Sequence, residues 1–197
     1  MKKKLINKIV IASNNKDKVQ EIKRYFNKIN IELIPSYKLS IPEPKETEKT
    51  FKGNAFLKAS YTAKLTNLTS LGDDSGLVIP SLNGKPGIFS ARWGGPKKDF
   101  NLAMKKVNKK LKGKSKFAWF VCSIAIVSPN NMSKIFEGRI YGNLTWPPKG
   151  EHGFGYDPIF IPLGYEKTFG EMKKEIKEKI SHRSIAFNQF FKNINLF

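Results

Sequence analysis

The chain has 197 residues, of which 40% are hydrophobic and 12% aromatic, so it can bury a core, which argues against wholesale disorder. Its 36 Lys and Arg residues exceed its 16 Asp and Glu residues by 20 positive charges, a balance typical of proteins that bind nucleic acid or acidic membranes. However, 32 of the 36 basic residues are lysine, whereas recognition of phosphates and base edges favours arginine. We therefore attribute part of the charge to a lysine-rich composition.

The cysteine count and the apolar runs restrict where the protein can work. A single cysteine, Cys122, excludes an intrachain disulfide and a multi-cysteine zinc site. It lies in the apolar run 117–127, which predicts a buried thiol and, at eleven residues, is too short to span a bilayer as a helix. Residues 1–4 are basic, as in a signal peptide, but Asn7 and Lys8 interrupt the apolar stretch that follows. We expect a cytoplasmic protein that does not contact a membrane.

The first third of the chain predicts one strand and two helices. Residues 9–12 form an apolar strand that leads into the polar loop 13–18, and apolar residues then recur at helical spacing as far as Ile29. Two prolines deny regular structure to the segment 42–49, after which Thr50 is expected to cap a second helix. The inward positions of that helix include Phe51, Ala55, Ala59 and Ala63.

The middle of the chain predicts a broken strand, a turn and a surface helix. Residues 71–78 are typical of a strand interrupted by Gly72-Asp73-Asp74-Ser75-Gly76, and 83–87 form a turn. The lysine-rich segment 99–111 carries apolar residues at helical spacing, which predicts an amphipathic surface helix.

The last part of the chain completes a mixed α/β pattern. Strands over 117–127 and 135–145 are expected to form a hairpin. The glycine-rich loop 153–158 precedes a short strand over 159–161. Helices around 171–180 and 183–193 follow, with Ser181 as the N-cap of the second. Because no repeat or linker divides the chain, we expect residues 1–197 to form one α/β domain.

The loop 13–18 is the first candidate for chemistry. A strand that runs into a helix N-terminus presents backbone N–H groups and the positive end of the helix dipole, which suit phosphate. Ser13, Asn15 and Lys18 would complete an anion site, although the glycine and lysine pattern of a P-loop is absent. The alternative is that Ser13 or Asn15 only caps the helix.

Asp73 and Asp74 are the second candidate. Successive residues of a regular strand point to opposite faces, but the flanking glycines would let the backbone bend, so that both carboxylates could approach one site. Carboxylate oxygens suit Mg²⁺, and Glu46 and Glu48 could join them if the fold brings their loop close. The alternative is an ordinary polar turn.

The glycine-rich loop 153–158 and the triplet Ser181-His182-Arg183 are the third candidate. An aromatic ring in a glycine-rich loop is available to stack on a base, and Arg183 offers forked donors to a carbonyl oxygen. For His182 alone, the alternative is capping and surface charge.

Five motifs occur in order along nearly the whole chain, from about Ile9 to Phe190. They are Ser13-x-Asn15-x-x-Lys18, Gly72-Asp73-Asp74-Ser75-Gly76-Leu77, Pro86-Gly87-x-x-Ser90-Ala91-Arg92, Gly153-Phe154-Gly155-Tyr156-Asp157-Pro158 and Ser181-His182-Arg183. Each motif is weak alone, but the ordered set resembles the inosine/xanthosine triphosphate pyrophosphatase family. The resemblance implies an elongated mixed sheet flanked by helices, with two lobes around a central substrate cleft. It also implies a Mg²⁺-dependent homodimer that cleaves noncanonical purine nucleoside triphosphates such as ITP, dITP and XTP.

The resemblance also implies roles for individual residues. Asp74 would be the catalytic proton acceptor and a metal ligand, with Glu46 and Asp73 as further metal ligands. The other matching positions would bind substrate: Ser13, Asn14, Asn15, Lys16, Asp17, Lys18, Lys58, Ser75, Phe154, Gly155, Tyr156, Asp157, Lys177, His182 and Arg183. Phe154 would lie against the base, whereas Lys18 and Lys58 would contact the phosphates.

Two other functions are compatible with parts of the sequence. The charge and the aromatic residues would suit a nucleic-acid-binding module without hydrolase activity, but no helix-turn-helix, zinc-binding or RNP-type pattern occurs, so we expect no direct nucleic-acid binding. A related pyrophosphatase for modified pyrimidine nucleotides would differ only in its base pocket.

Overall fold

The computed structural model describes residues 7–27 and 29–193, so the basic start at residues 1–4 lies outside the described residues. Two compact units emerge. The first comprises the chain up to Asp74, Ser123–Glu137 and the chain from Phe187 onward; the second comprises Ser75–Cys122 and Gly138–Ala186. The expectation that residues 1–197 form one domain stays a prediction.

Six strands form one mixed sheet in the order β2-β1-β3-β4-β5-β6. The strands are β1 (Lys8–Ile11), β2 (Glu32–Pro35), β3 (Ser70–Val78), β4 (Phe117–Val127), β5 (Ser133–Leu144) and β6 (Phe160–Pro162). β1 is parallel to both β2 and β3, with Ile9 opposite Leu33 and Val10 opposite Ser70, whereas β5 and β6 are antiparallel. The expected α/β class with a mixed sheet is therefore confirmed.

Five α-helices accompany the sheet in the described part of the chain. They are α1 (Lys16–Tyr25), α2 (Phe51–Thr66), α3 (Phe100–Leu111), α4 (Lys174–Ile180) and α5 (His182–Asn193). Thr50 Oγ1 accepts the Gly53 N–H at 3.0 Å and Ser181 Oγ accepts the Ser184 N–H at 3.1 Å, which confirms both expected N-caps. The hairpin is also confirmed, because β4 and β5 are neighbours joined by residues 128–132.

Two differences from the predicted elements concern the strands. β2 has no counterpart among the predicted elements, since a four-residue strand offers too short a pattern. β3 is continuous from Ser70 to Val78, so the expected interruption at 72–76 is wrong. The sheet order places β3 between β1 and β4, where its backbone groups find partners, and the glycines adopt the extended conformation without a break.

In the first unit, an alanine-lined face of α2 packs closely on the sheet. Ala55, Ala59 and Ala63 are buried together with Ala125 and Val127. Gly72 lets α2 approach β3, because a Cβ there would lie 2.3 Å from the Ala55 carbonyl oxygen and 2.7 Å from the Ala59 nitrogen. A small residue at position 72 therefore sets the distance between β3 and the helix.

The second unit has a larger apolar core. Residues of α3, β4 and the segment after β5 meet there, among them Met104, Phe120, Tyr156, Phe160 and Phe169. The Tyr156 hydroxyl donates to the Ser90 carbonyl oxygen at 2.9 Å, so the core anchors the loop that precedes β6. Cys122 is buried in β4, as the sequence predicts. Within the described ranges, no helix combines the length and the apolar character needed to cross a bilayer.

We expect Gly72→Ala to lower the free energy of unfolding by about 1–3 kcal/mol, because the added methyl meets backbone atoms that cannot rotate away. Urea unfolding measures the change. Ser133→Thr is the matched control, since it adds one methyl group at an exposed position of β5 and should stay within about 0.5 kcal/mol. Equal effects of the two substitutions would contradict a close approach of α2 at Gly72.

Candidate functional site

The loop 13–18 links β1 to α1 in the first unit. Asn15 is the N-cap of α1: its Oδ1 accepts the N–H groups of Asp17 at 3.0 Å and Lys18 at 3.1 Å. Ser13 is buried and its Oγ accepts the Asn15 N–H at 3.2 Å. The capping interpretation is therefore correct for Asn15. Phosphate binding by this loop stays a prediction. It is compatible with the cap, because the loop lies at a helix N-terminus, where anions are favoured.

The remaining residues of this loop differ in their surroundings. Asn14, Lys16 and Asp17 are exposed, and the Asn14 N–H donates to Glu43 Oε1 at 2.6 Å. Lys18 instead turns towards the sheet, where its Nζ lies 3.1 Å from Asp73 Oδ2. Asp73 is only 1% exposed, so Lys18 supplies the positive charge that a carboxylate at that depth requires. Of the charged residues in this loop, Lys18 is therefore the one linked to the acidic pair.

Asp74 contacts a different helix from its neighbour. Lys58 Nζ of α2 lies 3.4 Å from Asp74 Oδ1 and 3.0 Å from Glu46 Oε1. Because β3 is regular, its successive side chains alternate between faces, and the two aspartates accordingly meet lysines of α1 and α2. The expected bend that would turn both carboxylates to one cation is absent from β3.

The electrostatics of this group follow from burial. Burial raises the pKa of Asp74, with Glu46 and Asp73 adding to the rise, while Lys58 and Lys18 offset part of it. Burial alone would lower the pKa of Lys58, but the carboxylates of Asp74, Asp73 and Glu46 together outweigh it and hold that pKa above its ordinary value. Lys58 therefore stays an ammonium, and Asp74 is a carboxylate with a raised affinity for a proton.

Asn54 belongs to the same group, although no sequence motif assigned it a role. It is buried on α2, and its Nδ2 donates to Asp74 Oδ2 at 3.3 Å. Its Oδ1 accepts the Glu48 N–H at 3.1 Å. The available signal was its spacing: a polar residue four positions before Lys58 lies on the same face of the predicted helix.

Glu46 and Asp74 fit a divalent cation whose remaining ligands are water molecules or substrate phosphates. Both carboxylates converge on one cation, the Lys58 ammonium, and hard oxygen ligands suit Mg²⁺. In the described ranges, no group of three His, Cys, Asp or Glu side chains is arranged to hold a metal by itself. Mg²⁺ in nucleotide enzymes is commonly bound by one or two carboxylates together with water and substrate phosphates. The metal role of Glu46, Asp73 and Asp74 stays a prediction.

In the second unit, the glycine-rich loop 153–158 holds Phe154 beside two cations. Asp157 Oδ2 accepts the Phe154 N–H at 2.8 Å and the Lys177 ammonium at 2.5 Å. Lys177 Nζ lies 5.1 Å from the centroid of the Phe154 ring, and Arg183 Cζ lies 5.7 Å from it. This arrangement orients the ring by cation–π attraction and a buried ion pair. Phe154 itself is half-buried.

Glycine is required at the start of this loop. Gly153 has a φ of +76°, and a Cβ there would lie 2.1 Å from Asp157 Oδ2. Gly155 has a φ of +73°, which also favours glycine. Tyr156, in contrast, points into the core, where burial raises the pKa of its phenol and Ser90 accepts its hydroxyl hydrogen. Any contact of Tyr156 with a ligand would therefore involve its backbone and not its side chain.

His182 and Arg183 begin α5 and are both buried, so the alternative of surface charge is wrong for His182. Arg183 Nη2 donates to Ser75 Oγ at 3.3 Å. The His182 ring stacks on Phe120, with 4.9 Å between the ring centroids. The second unit thus brings Ser75, Phe154, Asp157, Lys177 and Arg183 into one connected group, with His182 next to Arg183 in the chain.

Comparisons with known proteins bear on the family of this chain. The Ham1 family model matches residues 9–193. A relative named dITP/XTP pyrophosphatase, from Caulobacter vibrioides, is 49% identical over 183 residues, which is 91% of this chain and 94% of the relative.

Solved structures show the same fold. The structure of a HAM1 protein from Coxiella burnetii matches with a TM-score of 0.89 and 36% identity, covering 96% of this chain and 99% of that chain. The Staphylococcus aureus Ham1 protein matches with a TM-score of 0.87 and 38% identity, covering 95% of this chain and 98% of that chain.

We expect Lys58→Met to lower the free energy of unfolding at pH 8 by about 3–5 kcal/mol, because it removes the ammonium that compensates the buried carboxylate of Asp74. Without the lysine, the pKa of Asp74 rises further, so the folded variant binds protons more readily than the unfolded chain and the deficit shrinks towards pH 5. Urea unfolding at both pH values in EDTA measures it. Lys8→Met, which removes an exposed pair with Glu32, should cost less than about 1 kcal/mol at either pH. A Lys58→Met deficit independent of pH would indicate lost packing instead.

Proposed function

Because the chain belongs to the Ham1 family, we propose that it hydrolyses noncanonical purine nucleoside triphosphates, including ITP, dITP and XTP, to the monophosphate and pyrophosphate. The observation that supports this most directly is the group of Asp74, Glu46 and Lys58, in which the buried carboxylate of Asp74, with its raised pKa, lies beside a lysine ammonium suited to phosphate. Removal of such nucleotides would keep them out of DNA and RNA.

The proposed chemistry depends on one proton acceptor and several cations. Asp74 takes a proton from a water molecule, whose oxygen forms a bond to the α-phosphorus. The bond between that phosphorus and its bridging oxygen to the β-phosphate breaks, and the electron pair leaves with pyrophosphate. Lys18 and Lys58 are proposed to neutralise the negative charge of the departing pyrophosphate. Electrostatic stabilisation of this kind is a main source of catalysis in phosphoryl transfer.

Mg²⁺ is the proposed cofactor, with Glu46 and Asp74 as its protein ligands, whereas Asp73, on the other face of β3, keeps Lys18 as its partner. When bound, it would offset phosphate charge and help to orient the triphosphate. The N-terminal loop of α1, comprising Ser13, Asn14, Asn15, Lys16, Asp17 and Lys18, would bind phosphate through backbone N–H groups and Lys18. A homodimer belongs to the same proposal through the family resemblance. The proposal also includes a cytoplasmic location, which the single cysteine favours, and no direct nucleic-acid binding, because the sequence lacks the patterns of nucleic-acid-binding modules.

Base recognition is assigned to the second unit. Phe154 presents a half-buried ring whose orientation is held by Lys177 and Arg183, so it is suited to stack on a purine. Hypoxanthine and xanthine carry a carbonyl group at position 6, which Arg183 and His182 can meet with N–H donors. Adenine carries an amino group there, so donors would face donors, and each buried group left unpaired costs about 1–3 kcal/mol. Ser75, Gly155, Tyr156 and Asp157 complete the proposed nucleoside contacts.

A substrate panel tests the function. We expect Mg²⁺-dependent release of pyrophosphate from ITP, dITP and XTP, with much slower turnover of ATP, UTP and dTTP. Asp74→Asn should fold and lose turnover by a factor of about 10² or more, because the amide cannot accept the proton. Glu32→Gln, an exposed change in β2, is the control and should keep wild-type activity.

Three outcomes would contradict the proposal. Orthophosphate as the product would place cleavage at another bond, and near-wild-type activity of Asp74→Asn would remove the proton acceptor. Tight, steeply salt-dependent binding of oligonucleotides without hydrolysis would favour the nucleic-acid-binding alternative.

Arg183→Ala should reduce the preference for ITP over ATP by about 10- to 100-fold in kcat/KM, because the donors that distinguish the two bases are lost. The ratio of kcat/KM values for the two substrates measures this loss. Arg139→Ala, which removes an exposed arginine of the same unit, is the matched control and should leave the ratio unchanged. An unchanged ratio in Arg183→Ala would refute its role in base choice.

A further inference from the structure

Asn54 and Lys58 are polar residues of the buried face of α2, which also carries three alanines and Thr62. They are four positions apart, so their side chains lie one helical turn apart on the same face. Asn54 is 1% exposed and Lys58 is 5% exposed. Polar side chains at that depth are costly unless they form hydrogen bonds or ion pairs with specific partners.

The two residues hold the Asp74 carboxylate by its separate oxygens. Lys58 Nζ lies 3.4 Å from Oδ1, and Asn54 Nδ2 donates to Oδ2 at 3.3 Å. A carboxylate held at both oxygens from one helix face cannot rotate about its Cβ–Cγ bond without losing one contact. Asn54 therefore restricts the plane of the group proposed to accept the proton.

The other end of the Asn54 amide holds the loop that carries Glu46. Asn54 Oδ1 accepts the Glu48 N–H at 3.1 Å, two residues beyond Glu46. Pro42 and Pro44 precede this stretch, and it forms neither helix nor strand, so side-chain contacts have to position it. One amide thus connects Asp74 on β3 with the Glu46 loop.

We propose that Asn54 is a positioning residue that sets the separation and orientation of Asp74 and Glu46 as ligands for a divalent cation. The proposal rests on the proposed function, since it assumes that these carboxylates hold the metal. Asparagine suits the task because its amide donates in one direction and accepts in the other. Aspartate could not donate to Asp74 and would add a like charge, and leucine of similar size could do neither.

The test measures metal binding directly, in the absence of nucleotide. Electron paramagnetic resonance of free Mn²⁺ should show a dissociation constant about 10- to 100-fold weaker for Asn54→Leu and Asn54→Ala than for the wild type, as is typical when a partner behind a metal ligand is removed. At saturating Mg²⁺, we expect kcat for ITP to fall about tenfold or more, with a smaller change in KM. Asn54→Gln, which keeps both amide groups on a longer stem, should recover part of the Mn²⁺ affinity.

Matched variants separate positioning from general damage. Thr62→Val removes a polar atom from another buried residue of α2, two turns further on, and should leave Mn²⁺ binding and kcat unchanged, whatever its effect on stability. Asn54→Ala gives the same information if Asn54→Leu does not fold, since it introduces no bulk. Thermal unfolding verifies that each variant is folded.

Reference variants keep the two proposals apart. If Asp74→Asn and Glu46→Gln lose Mn²⁺ binding while folded Asn54→Leu and Asn54→Ala bind it as the wild type does, the positioning role of Asn54 is refuted and the metal site stands. If Asp74→Asn and Glu46→Gln also bind Mn²⁺ as the wild type does, the metal assignment within the proposed function is wrong and the role of Asn54 fails with it.

Discussion

The ammonium of Lys58, buried between the carboxylates of Glu46 and Asp74, is the interaction on which the chemistry of the first unit depends. A carboxylate as deeply buried as that of Asp74 would be costly to ionise without a cation, and an isolated lysine there would lose its proton. Together they keep the lysine charged and leave Asp74 with a raised pKa. The same balance of charges that lets the unit fold supplies a proton acceptor beside a phosphate-binding cation in the proposed reaction.

The geometry of β3 distributes this chemistry over two helices. Because the strand is regular, Asp73 and Asp74 diverge, one to Lys18 of α1 and the other to Lys58 and Asn54 of α2. Gly72 permits the close approach of α2 that these contacts require. The unbent strand thus lets each carboxylate contact a lysine from a different helix.

In the second unit, the contacts of the glycine-rich loop 153–158 hold the aromatic ring of Phe154 in place. Gly153 admits the left-handed backbone and leaves room for Asp157, whose carboxylate ties the Phe154 N–H to Lys177. Lys177 and Arg183 then lie against the ring. Lys177 and Arg183 each make specific contacts here. The lysine-rich composition of the whole chain therefore does not account for these two charges.

The sequence by itself determined the main elements, because apolar periodicity and caps such as Thr50 and Ser181 act over a few residues, and it determined the family resemblance through five ordered motifs. Only the tertiary structure decided that β3 runs unbroken, that Arg183 and His182 are buried, and that Asn54 joins Asp74 to the Glu46 loop. Each of those outcomes depends on residues far apart in the chain. Burial and hydrogen-bond partners across such distances are set by packing, which a local pattern does not contain.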